Sequence, residues 1–266
     1  MKLIAIHSMP RSGSTWLGSI IDSSPYISYK LQPLFSYKLK GFLTEVSDLN
    51  RLQEFKNKLL MTQDDFLDQT EKKQRGIIPA FEKKEILAVA YKETRYHYIL
   101  KNLLQKDHET VLIGLIRNPL AQLNSWFKAP KEFDPNWKIE EEWRLGRKKN
   151  KQNIEEYYGF EKWKEVSLLI HELKTLFPKR IFIVNYNDLL NNPIEKTNEL
   201  FSFVELPYTK QTETFLVNSR MINNKDPYGV FKSKQHDDDW KKNLPKFIAE
   251  EVFDELIGTE LEIYLK

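Results

Sequence analysis

Four short apolar runs constrain the fold more than any other feature: "KLIAI" from Lys2, "ILAVAY" from Ile86, "VLIGLI" from Val111 and "IFIVNY" from Ile181. Each is β-rich and almost uninterrupted by polar residues, the pattern of a strand buried on both faces. Helical patterns separate them. The clearest runs through Phe160, Trp163, Val166, Leu169, Ile170, Leu173 and Phe177, and Pro178 stops it. Strands buried on both sides need helices on each side, and right-handed crossovers supply them. The expectation is a three-layer α/β fold with a central, mainly parallel sheet flanked by helices. No Pro, Gly or Ser-rich linker divides residues 1–266, which read as one domain with a polar, helix-prone insertion at about 38–84 over the sheet edge.

Composition narrows the chemistry. The chain has no cysteine, which excludes disulfides, thiolate metal sites and cysteine nucleophiles, so reactivity must come from oxygen and nitrogen groups. Lys and Arg number 41 against 38 Asp and Glu, a net charge of +3, so no global basic field argues for nucleic acid and any anion preference must be local. The N-terminal apolar run meets His7 and Ser8 too soon for a signal peptide or a membrane span, and a cytoplasmic location is expected.

Two stretches carry candidate chemistry. "SMPRSGSTWL" follows the first apolar run, and Trp16, Leu17, Ile20 and Ile21 beyond it fall on one helical face, giving the order strand, turn, helix. At such a helix start, unpaired N–H groups and the positive dipole end converge on one point, and Ser12, Ser14 and Thr15 add hydroxyl donors. A triphosphate loop needs two glycines and a lysine before Ser or Thr, and this loop has one glycine and no lysine. The plainer alternative is Ser and Thr capping an ordinary helix, which leaves Arg11 unexplained. The second stretch is "LIRNPLAQLNSW": Arg117 ends an apolar run, Asn118 suits an N-cap and Pro119 the first helical position. Arg117 and Ser125 can there flank a ligand crossing the carboxyl ends of the strands.

Together the two stretches resemble the sulfotransferase family, which transfers a sulfuryl group from PAPS (3′-phosphoadenosine 5′-phosphosulfate). "PRSGSTWL" resembles that family's 5′-phosphosulfate loop, and "RNP" with Ser125 its 3′-phosphate motif. "VNYNDLLNNPIEKTNELFSFVELP" resembles the family's late strand, turn and helix, and "FKSKQHDDDWKKNLP" its late basic loop. The resemblance implies a P-loop-like fold and PAPS as donor, with PAP as product and no metal required. It implies that Arg11 and the amides of Ser12, Gly13, Ser14, Thr15 and Trp16 hold the 5′-phosphosulfate. Arg117 and Ser125 would hold the 3′-phosphate, and Lys232, Ser233 and Lys234 would close over it. Trp16 and Trp240 are candidates for stacking on adenine.

"AYKETRYHY" resembles the Lys-x-x-Arg segment of carbohydrate 6-O-sulfotransferases, which implies a hydroxyl acceptor on a carbohydrate or glycolipid. Lys92 is then the group that stabilises the leaving oxygen, and Glu93 the nearest carboxylate for general base work, with His97 and His7 as alternatives. Two positions depart from family patterns: Thr94 stands where phenol and steroid sulfotransferases carry a histidine, and Gln32-Pro33-Leu34 where carbohydrate members have Glu-Pro-Leu. A non-catalytic PAPS or PAP-binding module and a nucleoside-phosphate kinase are the alternatives. The triple aspartate before Trp240 reads as a helix cap, and "RLGRKKNK" as a solvated face. Acceptor identity and oligomeric state are not legible in the sequence.

Overall fold

A computed structural model describes residues 1–221, 230 and 236–266. Five strands, β1 (Lys2–Ser8), β2 (Ile27–Leu31), β3 (Ala88–Glu93), β4 (Val111–Ile116) and β5 (Ile181–Asn185), form one sheet in the order β2-β3-β1-β4-β5. Every neighbouring pair is parallel. This is the expected α/β arrangement, with β1 at the centre and the strand order reversing beside it.

Alternation along β1 separates the two faces. Ile4 and Ile6 pack with Leu17, Ile20 and Ile21 of the helix α1 (Ser14–Asp22), and the helices Pro193–Phe203 and Lys210–Met221 complete that layer. Leu3 and Ala5 pack on the other face with Leu52, Phe55 and Leu59 of the helix α2 (Leu49–Met61) and with Leu100, Leu103 and Leu104. Full burial of each such aliphatic side chain contributes about 1.5–3 kcal/mol. The segment expected as an edge insertion is therefore the β2–β3 connection, sealed against a sheet face by α2.

Three elements differ from the sequence reading. "ISYKL" forms the edge strand β2, although Ser28 and Lys30 interrupt its apolar pattern. The run from Ile86 becomes a strand only at Ala88 and continues through Lys92 and Glu93, both buried. Tyr186, read as the end of "IFIVNY", opens the helix Tyr186–Asn191 instead.

Candidate active site

The carboxyl ends of β1 and β4 are adjacent, with His7 in register with Gly114 and Ser8 with Leu115. Two loops leave there side by side. The first holds Arg11 at φ 67° and Gly13 at φ 87°. Left-handed backbone at a non-glycine residue costs about 1 kcal/mol or more and marks a loop shaped by something other than local preference. Gly13 is the N-cap of α1 and no side chain caps that helix. The plainer reading of the hydroxyls as helix caps is thus not what the fold uses them for. By contrast, Asn118 caps the helix Pro119–Phe127 with its own side chain, accepting from the Leu120 and Ala121 N–H groups at 2.9 and 3.2 Å. One helix start is closed by a side chain, and the other keeps the Ser14 and Thr15 amides available for an anion, the Trp16 N–H donating to the Gly13 carbonyl at 3.0 Å.

Tyr186 fixes the shape of the open loop. A Cβ at position 13 would run into its ring, and the same ring lies 4.9 Å from the Arg117 guanidinium. Arg117 is tied down at its carbonyl, which accepts from Trp163 Nε1 at 2.9 Å, and its Nη1 donates to the Arg11 carbonyl at 2.5 Å. Gln122 Nε2 donates to the Pro10 carbonyl at 2.8 Å, a second tie between the loops. Arg11 Nε stands 3.4 Å from Ser125 Oγ, so residues expected at opposite ends of a ligand line one space. That space is a cavity of about 380 Å³ lined by Arg11, Gly13 to Trp16, Arg117 and Ser125. It falls within the roughly 300–1,000 Å³ of small-molecule sites.

Several cavity groups were not singled out in the sequence. Tyr186 lies in the "VNYNDLL" stretch, read there only as part of a late strand and turn. Lys128 extends the helical face of Asn124, a spacing that was available in the sequence. Asp237 takes Arg117 in a two-pronged contact, Nε to Oδ2 at 2.6 Å and Nη2 to Oδ1 at 2.5 Å. The aspartate run read as a helix cap is therefore used differently: Asp239, at the N-cap of Trp240–Asn243, makes no side-chain cap bond. Trp16 lines the cavity and donates from Nε1 to Ser219 Oγ at 3.0 Å. Trp240 is buried in a different cluster, against Phe253. Lys232, Ser233 and Lys234 lie outside the described residues.

The end of β3 holds the acid–base candidates. Lys92 and Glu93 leave the strand on opposite faces. Burial pulls Lys92 down to about 8, and its ammonium makes no hydrogen bond or ion pair among the described residues. Burial pushes Glu93 up to about 8. Its Oε1 accepts from the Leu34 N–H at 2.7 Å, and Gln32 Nε2 donates to Thr94 Oγ1 at 2.6 Å. The two departures from family pattern, Gln32 and Thr94, are thus partners that close the same turn. His7 and His97 are fully buried and face each other through Nδ1 at 3.0 Å. Burial lowers both, His97 to about 3, so both imidazoles are neutral at ordinary pH.

A model of the sulfotransferase domain family matches residues 2–263. The chain belongs to that family. Among solved structures, this sulfotransferase resembles mouse sulfotransferase SULT7A1 complexed with PAP, at 16% identity and TM-score 0.62 over 99% of this chain and 88% of that one. It also resembles retinol dehydratase in complex with androsterone and inactive cofactor PAP (13%, TM-score 0.56, 97% and 82% covered). The sulfotransferase domain from the curacin biosynthetic pathway is a third (16%, TM-score 0.52, 94% and 97% covered). At these identities the likeness concerns the fold, which is P-loop-like. A search of the curated proteins gave no match. No described helix of the sulfotransferase is long and apolar enough to cross a membrane. Among the described residues, no group of three or more His, Asp or Glu is placed to hold a metal ion.

Proposed function

We propose that this sulfotransferase moves the sulfuryl group of PAPS to a hydroxyl of a carbohydrate or glycolipid. One observation carries the nucleotide part: the uncapped start of α1 and the Arg117 guanidinium open onto the same cavity from adjacent strands. Ser14 and Thr15 line that cavity, whereas the Ser12 side chain is fully buried behind it.

On this reading Arg11 and the amides from Ser12 to Thr15 hold the 5′-phosphosulfate, the guanidinium fork matching a tetrahedral anion, while the Trp16 N–H is taken by the Gly13 carbonyl at 3.0 Å. Arg117 and Ser125 hold the 3′-phosphate. PAPS supplies an activated sulfuryl group, and transfer makes negative charge on the departing phosphate oxygen. The loop donors and the Lys92 ammonium stabilise that charge, and loss of one such donor costs about a hundredfold or more in rate. Glu93 positions the Leu34 turn.

The acceptor part is supported by polarity at the end of β3. Arg95 Nε is 3.1 Å from Glu156 Oε1, and its guanidinium lies 4.3 Å over the Phe35 ring. A charged group stacked on an aromatic beside a carboxylate suits a polyhydroxylated acceptor better than an apolar one. Calorimetric titration with PAP, against ATP with magnesium, tests the nucleotide. Transfer of labelled sulfate from PAPS to a panel of glycosides, glycolipids, phenols and sterols tests the acceptor. Binding of ATP with magnesium but not PAP would overturn the donor, and transfer to sterols alone would overturn the acceptor.

A further inference from the structure

The sulfuryl-transfer reading requires a group that takes the acceptor's proton, and the inference below rests on that reading. Arg11 Nε lies 3.8 Å from Glu132 Oε2, in the turn after the helix Pro119–Phe127. That turn is held firmly. Trp126 Nε1 donates to the Glu132 carbonyl at 3.1 Å, and the Glu132 N–H donates to the Ala129 carbonyl at 2.8 Å. Phe133, next in the chain, is buried against Trp126 with ring centroids 5.2 Å apart. The backbone that carries the carboxylate is therefore held by packing and hydrogen bonds.

Glu132 Oε2 is buried and has no hydrogen-bond partner among the described residues, while the side chain as a whole keeps 21% of its surface. Leaving a buried charged acceptor without a hydrogen bond is costly, and the cost is explained if a ligand completes it. The surrounding charges locate it further. Glu132 acts on the buried Lys92 ammonium from β3. It also acts on the Tyr158 hydroxyl, which Arg95, Glu156 and Arg11 reach as well. Glu132 thus faces the anion loop through Arg11 and carries its charge towards the polar end of β3. Glu93 Oε2 and His97 Nε2 are also buried without a hydrogen-bond partner among the described residues, but both side chains are fully enclosed, Glu93 Oε1 being engaged by Leu34 and His97 by His7, whereas Glu132 keeps an exposed edge and approaches Arg11.

We propose that Glu132 is the general base of this sulfotransferase. The acceptor O–H bond breaks and its proton passes to the carboxylate. The acceptor oxygen forms its bond to sulfur, and the bond from sulfur to the bridging oxygen of the 5′-phosphate breaks. The electron pair stays on that oxygen, beside Arg11 and the loop amides. Glu132 then gives the proton to solvent through its exposed edge.

Glu132→Gln keeps the shape of the side chain and removes both the base and the charge opposite Arg11. The full chain is titrated with PAP by calorimetry, and PAP release from PAPS is followed with p-nitrophenol, a methyl glycoside and water as acceptors. The expected result is a split. PAP binds the variant at least as tightly as wild type, because Arg11 loses a competing carboxylate, while turnover falls about a hundredfold or more. Glu132→Asp recovers part of kcat with the donor KM unchanged. A Gln variant that keeps wild-type turnover overturns the assignment, as does one that loses PAP binding and turnover together, which marks a structural role. A wild-type protein that binds PAP but turns over none of the three acceptors overturns it too. Failure of wild type to bind PAP removes the nucleotide reading itself, and the base with it.

Discussion

The Arg117 guanidinium is closed onto Asp237, with Nε and Nη2 within 2.6 Å of the two carboxylate oxygens. Both side chains are nearly buried, at 8% and 7% exposed. On the proposed reading this carboxylate holds the place of the nucleotide's 3′-phosphate, and the donor has to displace it. Asp237→Asn is expected to tighten PAP binding, by about tenfold if about 1.4 kcal/mol of competition is removed. The ligand-free variant should melt at lower temperature, because a buried guanidinium loses its charge partner, and PAP should restore it. Calorimetry and thermal melts with and without PAP check both halves.

On the proposed reading, Arg117→Ala removes charge-assisted hydrogen bonds to the 3′-phosphate, worth on the order of 2–3 kcal/mol. PAP affinity is expected to fall about 30- to 150-fold. Adenosine 5′-phosphosulfate, which lacks the 3′-phosphate, should bind both proteins alike. Equal losses for the two ligands would mean that Arg117 serves the loop rather than the phosphate.

Gly13→Ala meets two obstacles, a φ of 87° and the Tyr186 ring. Stability is expected to fall by about 1–3 kcal/mol from strain alone, and PAP binding should fall with it as Tyr186 is pushed from beneath Arg117. Adding Tyr186→Leu should restore only part of the stability, because the backbone strain remains. Urea unfolding of the single and double variants separates the two causes.

Glu93 keeps a proton in the folded state up to about pH 8, whereas an ordinary glutamate loses it near 4.5. Between those values the native chain binds more protons than the unfolded one, so this residue's contribution to stability is fully present at the acid end and lost as pH rises. Glu93→Gln should flatten that slope. The acid sensitivity of His7 and His97 has the opposite sign, but both proteins share it and it cancels in the difference. The variant keeps an acceptor for the Leu34 N–H and should retain turnover. Urea midpoints at pH 5 and pH 8 check the first expectation, and initial rates the second.

Lys92 is charged below about pH 8. If its ammonium stabilises the leaving oxygen, kcat falls as pH rises through that value, and Lys92→Met lowers kcat about a hundredfold with PAP affinity little changed. A pH–rate profile flat to pH 10 would remove Lys92 from the chemistry.

What the sequence displayed was local. The loop from Arg11 to Trp16 and the Arg117-Asn118-Pro119 turn are legible because strand, turn and helix follow one another within a few residues. β2 was not, because its buried Lys30 is satisfied from far along the chain, by the Thr62 carbonyl at 2.7 Å and Asp68 Oδ1 at 2.6 Å. Asp237 looked like one more acid in a charged run until folding brought Arg117 to it across 120 positions. Glu132, in "KAPKEF", has nothing beside it in sequence that hints at Arg11.

The pairing of β1 with β4 has a consequence for selectivity. The loops bearing Arg11 and Arg117 start from neighbouring strands, whose backbones lie about 4.8 Å apart, and the Arg117 to Arg11 carbonyl bond pins them together. A register slip of one residue would turn every side chain to the wrong face, so this interval is among the least adjustable dimensions of the molecule. The sheet acts as a caliper. Loop residues are free to diverge around it, but on the proposed reading a ligand whose two anionic groups are spaced differently would not match this fixed interval.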